Sequence, residues 1–87
     1  MEIIFSNHSL DKIKERGTNK EEIEIAIRLG ERVPAKKGRI AFRKNFNFEN
    51  HWKGRYYQGK QMMPVIVEEG NNYVVITVYV FFIGGEK

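Results

Sequence analysis

The chain contains no cysteine, which excludes disulfide staples, thiolate metal sites and cysteine nucleophiles and leaves stability to packing. Proline occurs at two positions and tryptophan at one. No stretch approaches the roughly 20 apolar residues of a membrane-spanning helix. The opening MEIIFSNHS lacks the basic start, apolar run and cleavage site of an export signal, so a cytoplasmic protein without membrane contact is expected. Repeats, low-complexity tracts and linkers are missing too. The 87 residues fill one domain, 1–87, with a thin core.

What is present is charge of both signs with an excess of base. The 15 Lys and Arg against 11 Asp and Glu give +4 and a pI near 9.5, a balance that favours an anionic partner such as nucleic acid. His8 and His51 form no i, i+4 ligand pair with nearby acids, so no metal and no other cofactor is expected. Asn7-His8-Ser9 matches a glycosylation acceptor, without meaning in a cytoplasmic chain.

Helix signals fill the first third. Ser6 or Asn7 can cap a first helix whose narrow apolar stripe is Leu10 and Ile13, and Gly17 suits the left-handed residue that ends it. Asn19 with Glu22 has the spacing of a capping box, Ile23, Ala26 and Ile27 supply an i, i+3, i+4 face, and Gly30 marks the stop.

From Arg32 the period shortens to alternation. A strand containing Pro34, and therefore at a sheet edge, leads through a turn near Lys37-Gly38 to a second strand with Ile40 and Phe42. The aromatic, basic segment Asn47–Gly59 is expected to be a long connection or irregular strand. Two further strands, KQMMPVIVEE and YVVITVYVFF, flank a turn at Gly70-Asn71. That turn pairs Val67 with Val74, Val65 with Ile76 and Met63 with Val78 on a face toward the helices. The other face would carry Lys60, Met62, Pro64 and Ile66 across from Phe81, Tyr79, Thr77 and Val75. The closing Gly84–Lys87 is expected to fray. The order α-α-β-β-β-β implies an α+β fold, two N-terminal helices on one face of a four-stranded antiparallel sheet.

The ordered segments SNHSLDKIKERG, NKEEIEIAIRLG, GKQMMPVIVEE and VVITVYV resemble an uncharacterised family of small prokaryotic proteins. That family is similar to the RelE and ParE-like toxins and to the wider barnase, EndoU, colicin and RelE-type ribonucleases. The resemblance covers nearly the whole chain and implies the same helix-on-sheet fold. It also implies a ribonuclease-like site of His8, Arg16, Lys60 and Thr77. Two positions depart from the pattern: Lys12, where relatives carry arginine, keeps the charge but loses the bidentate fork, and Thr18 replaces an aliphatic residue.

Metal-free RNA cleavage needs a group to take the 2′-hydroxyl proton, a group to protonate the leaving oxygen, and donors for the crowded phosphate. Histidine, which ordinarily titrates near neutrality, suits either proton role, and a first helical turn suits anion contact. Against this, a histidine there also serves as a surface or capping residue. Lys60 stabilises a phosphate or discourages edge pairing. Thr77 is a phosphate donor or a strand former, and Arg16 a phosphate clamp or a helix C-terminal cap. Trp52, Lys53, Arg55, Tyr56 and Tyr57 interleave aromatic rings with charge, as a base-stacking surface would and as a core would.

The expectation is a toxin-like, metal-independent endoribonuclease that leaves a 2′,3′-cyclic phosphate. His8, Lys60, Thr77 and Arg16 would be catalytic, and Lys12, Trp52, Lys53, Arg55, Tyr57 and Tyr79 would bind RNA. The alternatives are a non-catalytic RNA- or protein-binding module of the same fold and a ParE-like poison of a protein target. The partners implied are RNA, ribosome- or tRNA-associated RNA included, and an antitoxin protein, with the chain itself a monomer or weak dimer.

Overall fold

Helix α1 (Asn7–Arg16) starts where Ser6 can cap it: the Ser6 Oγ accepts from the Ser9 N–H at 3.1 Å, and the Ser9 hydroxyl donates back to the Ser6 carbonyl at 2.8 Å. Caps of this kind contribute about 1 kcal/mol. The computed structural model describes residues 1–85. Gly17 ends α1 at φ 77°, the left-handed conformation expected of it. In α2 (Lys20–Leu29) the Asn19 Oδ1 accepts from the Glu22 N–H at 2.8 Å, and Ile23, Ala26 and Ile27 are buried. No helix among the described residues is long and apolar enough to cross a membrane.

Among the described residues the sheet has five strands, β1 (Glu2–Phe5), β2 (Glu31–Pro34), β3 (Ile40–Trp52), β4 (Arg55–Glu69) and β5 (Asn72–Gly85), in the order β1-β5-β4-β3-β2; it is mixed, which corrects the expectation of four antiparallel strands. The additional strand is β1 (Glu2–Phe5), parallel to β5 (Asn72–Gly85) from Glu2↔Asn72 to Phe5↔Val75. Four residues are too few to show a period, and their partner lies some 70 positions away, so nothing local marks them. Strand β2 (Glu31–Pro34) is the edge strand that Pro34 implies, and Lys36–Gly38 forms the expected turn, as a single 3₁₀ turn.

The segment Asn47–Gly59 is a hairpin. β3 (Ile40–Trp52) and β4 (Arg55–Glu69) join through Lys53-Gly54, both at positive φ, with a register shift between Asn47 and Asn50 where Glu49 sits at φ 45°. At the Gly70-Asn71 turn, Gly70 takes φ 61° at the first central position and Val67 pairs with Val74 as expected. Gly84 and Gly85, the first half of the expected frayed tail, belong to β5, and Glu86 and Lys87 lie outside the described residues.

Beyond that turn the expected register fails. Ile66 pairs with Val75 but Val65 pairs with Thr77, so Ile76 is the extra residue of a β-bulge. Pro64 then faces Val78, Met63 faces Tyr79 and Lys60 faces Phe82. The helix-covered face is built from Met62, Ile66, Val75 and Val78 with Ile13, Ile23, Ala26, Ile27 and Phe42. The opposite face carries Thr77, Tyr79 and Phe81. Lys60 therefore stands on the helix side, with Met62, and not with Thr77 and Tyr79 as the simple register required.

Helix α1 lies along β5, and α2 crosses β4 and β3. Gly30 ends α2 in extended backbone, φ −82°, and is glycine for want of room: a Cβ there would stand 2.3 Å from the Ala26 carbonyl oxygen and 2.8 Å from that of Arg43. Gly30→Ala is expected to cost about 2 kcal/mol or more, read as a lower urea midpoint with an unchanged slope. A variant as stable as the parent would show that the α2–β2 junction relaxes freely.

Candidate functional site

His8, Lys12 and Arg16 follow one another at i, i+4 and i+8 on α1, a spacing that lines three side chains along one helical stripe. The stripe sits one position from the buried residues Ser9 and Ile13, so it falls at the margin of the core, beside β5. There β1 has already ended, and α1 takes its place along the strand. The Ser6 N–H donates to the Val75 carbonyl at 3.0 Å, and the Arg16 Nη1 donates to the Val78 carbonyl at 3.3 Å. Arg16 thus bonds a sheet carbonyl and not the carbonyls of its own helix end.

Across from the stripe, the bulge at Ile76 turns Ile76 and Thr77 to the open side of the sheet. His8, Lys12, Arg16, Arg39, Thr77 and Tyr79 line one groove of about 520 Å³. The Arg16 guanidinium lies 5.0 Å from the Tyr79 ring centroid, which holds it over the open face. Lys12 is shared. Its ammonium donates to both Glu15 carboxylate oxygens, at 2.9 and 3.2 Å, and this holds the Glu15 carboxyl below its ordinary range. The groove therefore offers an ammonium, two guanidinium groups, an imidazole and a hydroxyl, a set suited to an anion with several oxygens.

Two of the four expected catalytic residues lie on α1, and Thr77 faces them; Lys60 lies elsewhere. It is 5% exposed, with its Nζ 2.8 Å from the Glu22 Oε1, 2.9 Å from the Gly17 carbonyl oxygen and 5.2 Å from the Phe48 ring centroid. Glu22 also accepts from the Thr18 hydroxyl at 2.9 Å. Lys60 ties the α1–α2 turn to the sheet. It is neither an edge lysine nor a lining residue of the groove.

The expected RNA-binding residues divide the same way. Lys12 and Tyr79 line the groove. Trp52 stacks on Phe82 at 5.3 Å and 15°, Tyr57 and Phe48 pack on the same ring at 5.3 Å each, and the Trp52 ring fills the space where a Cβ on Gly17 would sit. Lys53 and Arg55 reach over the Trp52 and Tyr57 rings, at 5.5 and 5.9 Å from their centroids. This end of the hairpin is a half-buried aromatic cluster. His51 stands apart from His8, paired edge-on with Tyr56 at 5.6 Å. Among the described residues no three His, Asp or Glu side chains come together as a metal site would require.

Arg39 is the groove residue that the sequence reading missed. Its signal was the run Lys36-Lys37-Gly38-Arg39, three cations within one turn, which a local reading takes for a solvated loop.

Removing one partner of a buried ion pair strands the other, so Lys60→Ala is expected to lose about 3 kcal/mol in chemical denaturation. Lys60→Met combined with Glu22→Gln should recover much of that loss. A Lys60→Ala protein with parental stability would disprove the anchoring role. No protein-family model, curated protein or solved structure matches the chain.

Proposed function

We propose that the groove between α1 and the open face of β5 binds the phosphate backbone of RNA and cleaves it without a metal. The observation that carries this reading is the meeting of His8, Lys12 and Arg16 with Thr77 and Arg39 around one groove. Arg16, Arg39 and Lys12 offset the phosphate's charge, Thr77 donates a hydrogen bond, and His8 is the proton-transfer group. In the reaction the ribose 2′-oxygen attacks phosphorus and the bond from phosphorus to the 5′-oxygen breaks. The 2′-hydroxyl proton ends on the departing 5′-oxygen, leaving a 2′,3′-cyclic phosphate. Lys60 has no part in this chemistry, being committed to Glu22 and Gly17.

A second reading is favoured by the sheet edge. Strand β1 pairs with β5 only as far as Val75, and Arg16 bonds the outward carbonyl of Val78. Past that point the outer edge of β5 has no neighbouring strand among the described residues, and Tyr79, Phe81 and Ile83 beside it are 41%, 48% and 46% exposed. A partner chain, such as an antitoxin, would add a strand there and cover the groove.

Incubation of total RNA with the protein in EDTA should yield fragments ending in 2′,3′-cyclic phosphate. His8→Ala is expected to lower the rate by about 100-fold and Thr77→Val by about 10-fold while both stay folded. Intact RNA after incubation with folded parent protein would overturn the enzyme and leave the binding module. Glu15→Gln frees Lys12 and should raise affinity for inorganic phosphate about two- to fivefold at low salt, the gain shrinking as salt is added. An unchanged affinity would remove Lys12 from the anion site.

A further inference from the structure

Two residues on the open face, away from the helices, are nevertheless buried. Ala41 and Val65, paired across β3 and β4, are 1% and 7% exposed although they lie outside the helix-side core. The cover is the loop between β2 and β3, which folds back over the sheet. The loop is a closed unit: the Ala35 N–H donates to the Arg39 carbonyl at 2.9 Å, the Arg39 N–H to the Lys36 carbonyl at 3.2 Å, and Lys37 and Gly38 turn the chain at φ 61° and 72°.

Between loop and sheet remains a cavity of about 380 Å³. This volume falls in the range of small-molecule sites. Its floor is Ala41, Met63 and Val65, apolar and without a protruding side chain larger than methionine. One side is closed by Tyr79 and Thr77, and the rim carries Lys36, Lys37 and Arg39. Three of these residues, Arg39, Thr77 and Tyr79, also line the anion groove, so cavity and groove meet at a shared wall. A ligand that fills both must have a flat apolar part joined to an anionic part, with the anion on the α1 side.

We infer that this cavity is a nucleobase pocket that takes the base of the nucleotide whose phosphate lies in the groove beside it. The proposal rests on the phosphate reading of the groove and names what that site selects. An apolar floor with an aromatic wall suits a ring face, and Pro34, Ala35, Lys36 and Lys37 border the space a ring edge would occupy. The cationic rim disfavours an uncharged apolar ligand, which would bury apolar surface equally well but bring no charge to meet Arg39. Because the base must leave its stack to enter, the substrate is single-stranded RNA or a loop, not a duplex.

The test titrates the full chain with inorganic phosphate, ribose 5-phosphate and the four 3′-mononucleotides, following the methyl signals of Ala41, Met63 and Val65 by NMR. At least one nucleotide should bind about tenfold or more tighter than ribose 5-phosphate and shift those methyls, whereas phosphate alone should shift the groove residues and leave the floor unmoved. In Val65→Phe, or in the milder Ala41→Val if the first does not fold, the ratio of nucleotide to phosphate affinity should fall toward one. If phosphate and nucleotides bind equally and the floor methyls stay still, the base pocket is wrong and the phosphate groove stands. If neither phosphate nor nucleotide binds, the reading of the groove falls, and the pocket with it.

Discussion

The arrangement rests on one buried contact. Lys60 reaches from the middle of β4 to the Glu22 carboxylate and to the carbonyl of Gly17, so a single ammonium meets both sides of the turn between the two helices. An ammonium almost out of water is tolerable only with a counter-charge and good acceptors, and this one has both. Glu22 is held in turn by Thr18, and the Trp52 ring packs where Gly17 has no side chain. With its C-terminal end pinned there and its N-terminal end bonded to Val75, α1 has little freedom to roll. That restraint points His8, Lys12 and Arg16 toward the open side of β5.

The second constraint is the bulge. One extra residue at Ile76 turns Thr77 and Tyr79 away from the helices while Val78, Val80 and Phe82 stay on the covered side. Without it, the polar positions of β5 would lie under α1 and α2, where a hydroxyl would need a partner. A bulge next to a site is a common way to re-aim a side chain, and here it also places the Val78 carbonyl on the outer edge, where Arg16 meets it.

The cations that hold the fold and those that line the groove are largely different. Lys60 is spent on the fold. Arg16 is shared, bonded to β5 and lying over Tyr79 yet still lining the groove. Among the described residues the Lys12 and Arg39 side chains make no hydrogen bond or ion pair to the sheet, and Lys12 is paired only with Glu15. The aromatic residues divide likewise: Trp52, Tyr57 and Phe48 cluster around Phe82, while Tyr79 and Phe81 stack on the open face at 6.5 Å.

Whatever is settled within about one helical turn or one hairpin could be read from the chain alone. Both helices with their caps at Ser6 and Asn19 and their stops at Gly17 and Gly30, the edge position of Pro34, and the turns at Lys37 and Gly70 follow from side-chain chemistry and backbone freedom at those residues. The stripe of His8, Lys12 and Arg16 was legible for the same reason. The rest depended on long-range pairing and packing. β1 exists because a distant strand offers an edge, and the parity of β4 was hidden because both of its faces are apolar, one beneath the helices and one beneath the β2–β3 loop. Ile76 bulges in a run of β-branched residues that carries no mark of it. Thr77 therefore came to face His8, and Lys60 went beneath the helices, through pairings and packing that no local pattern encodes.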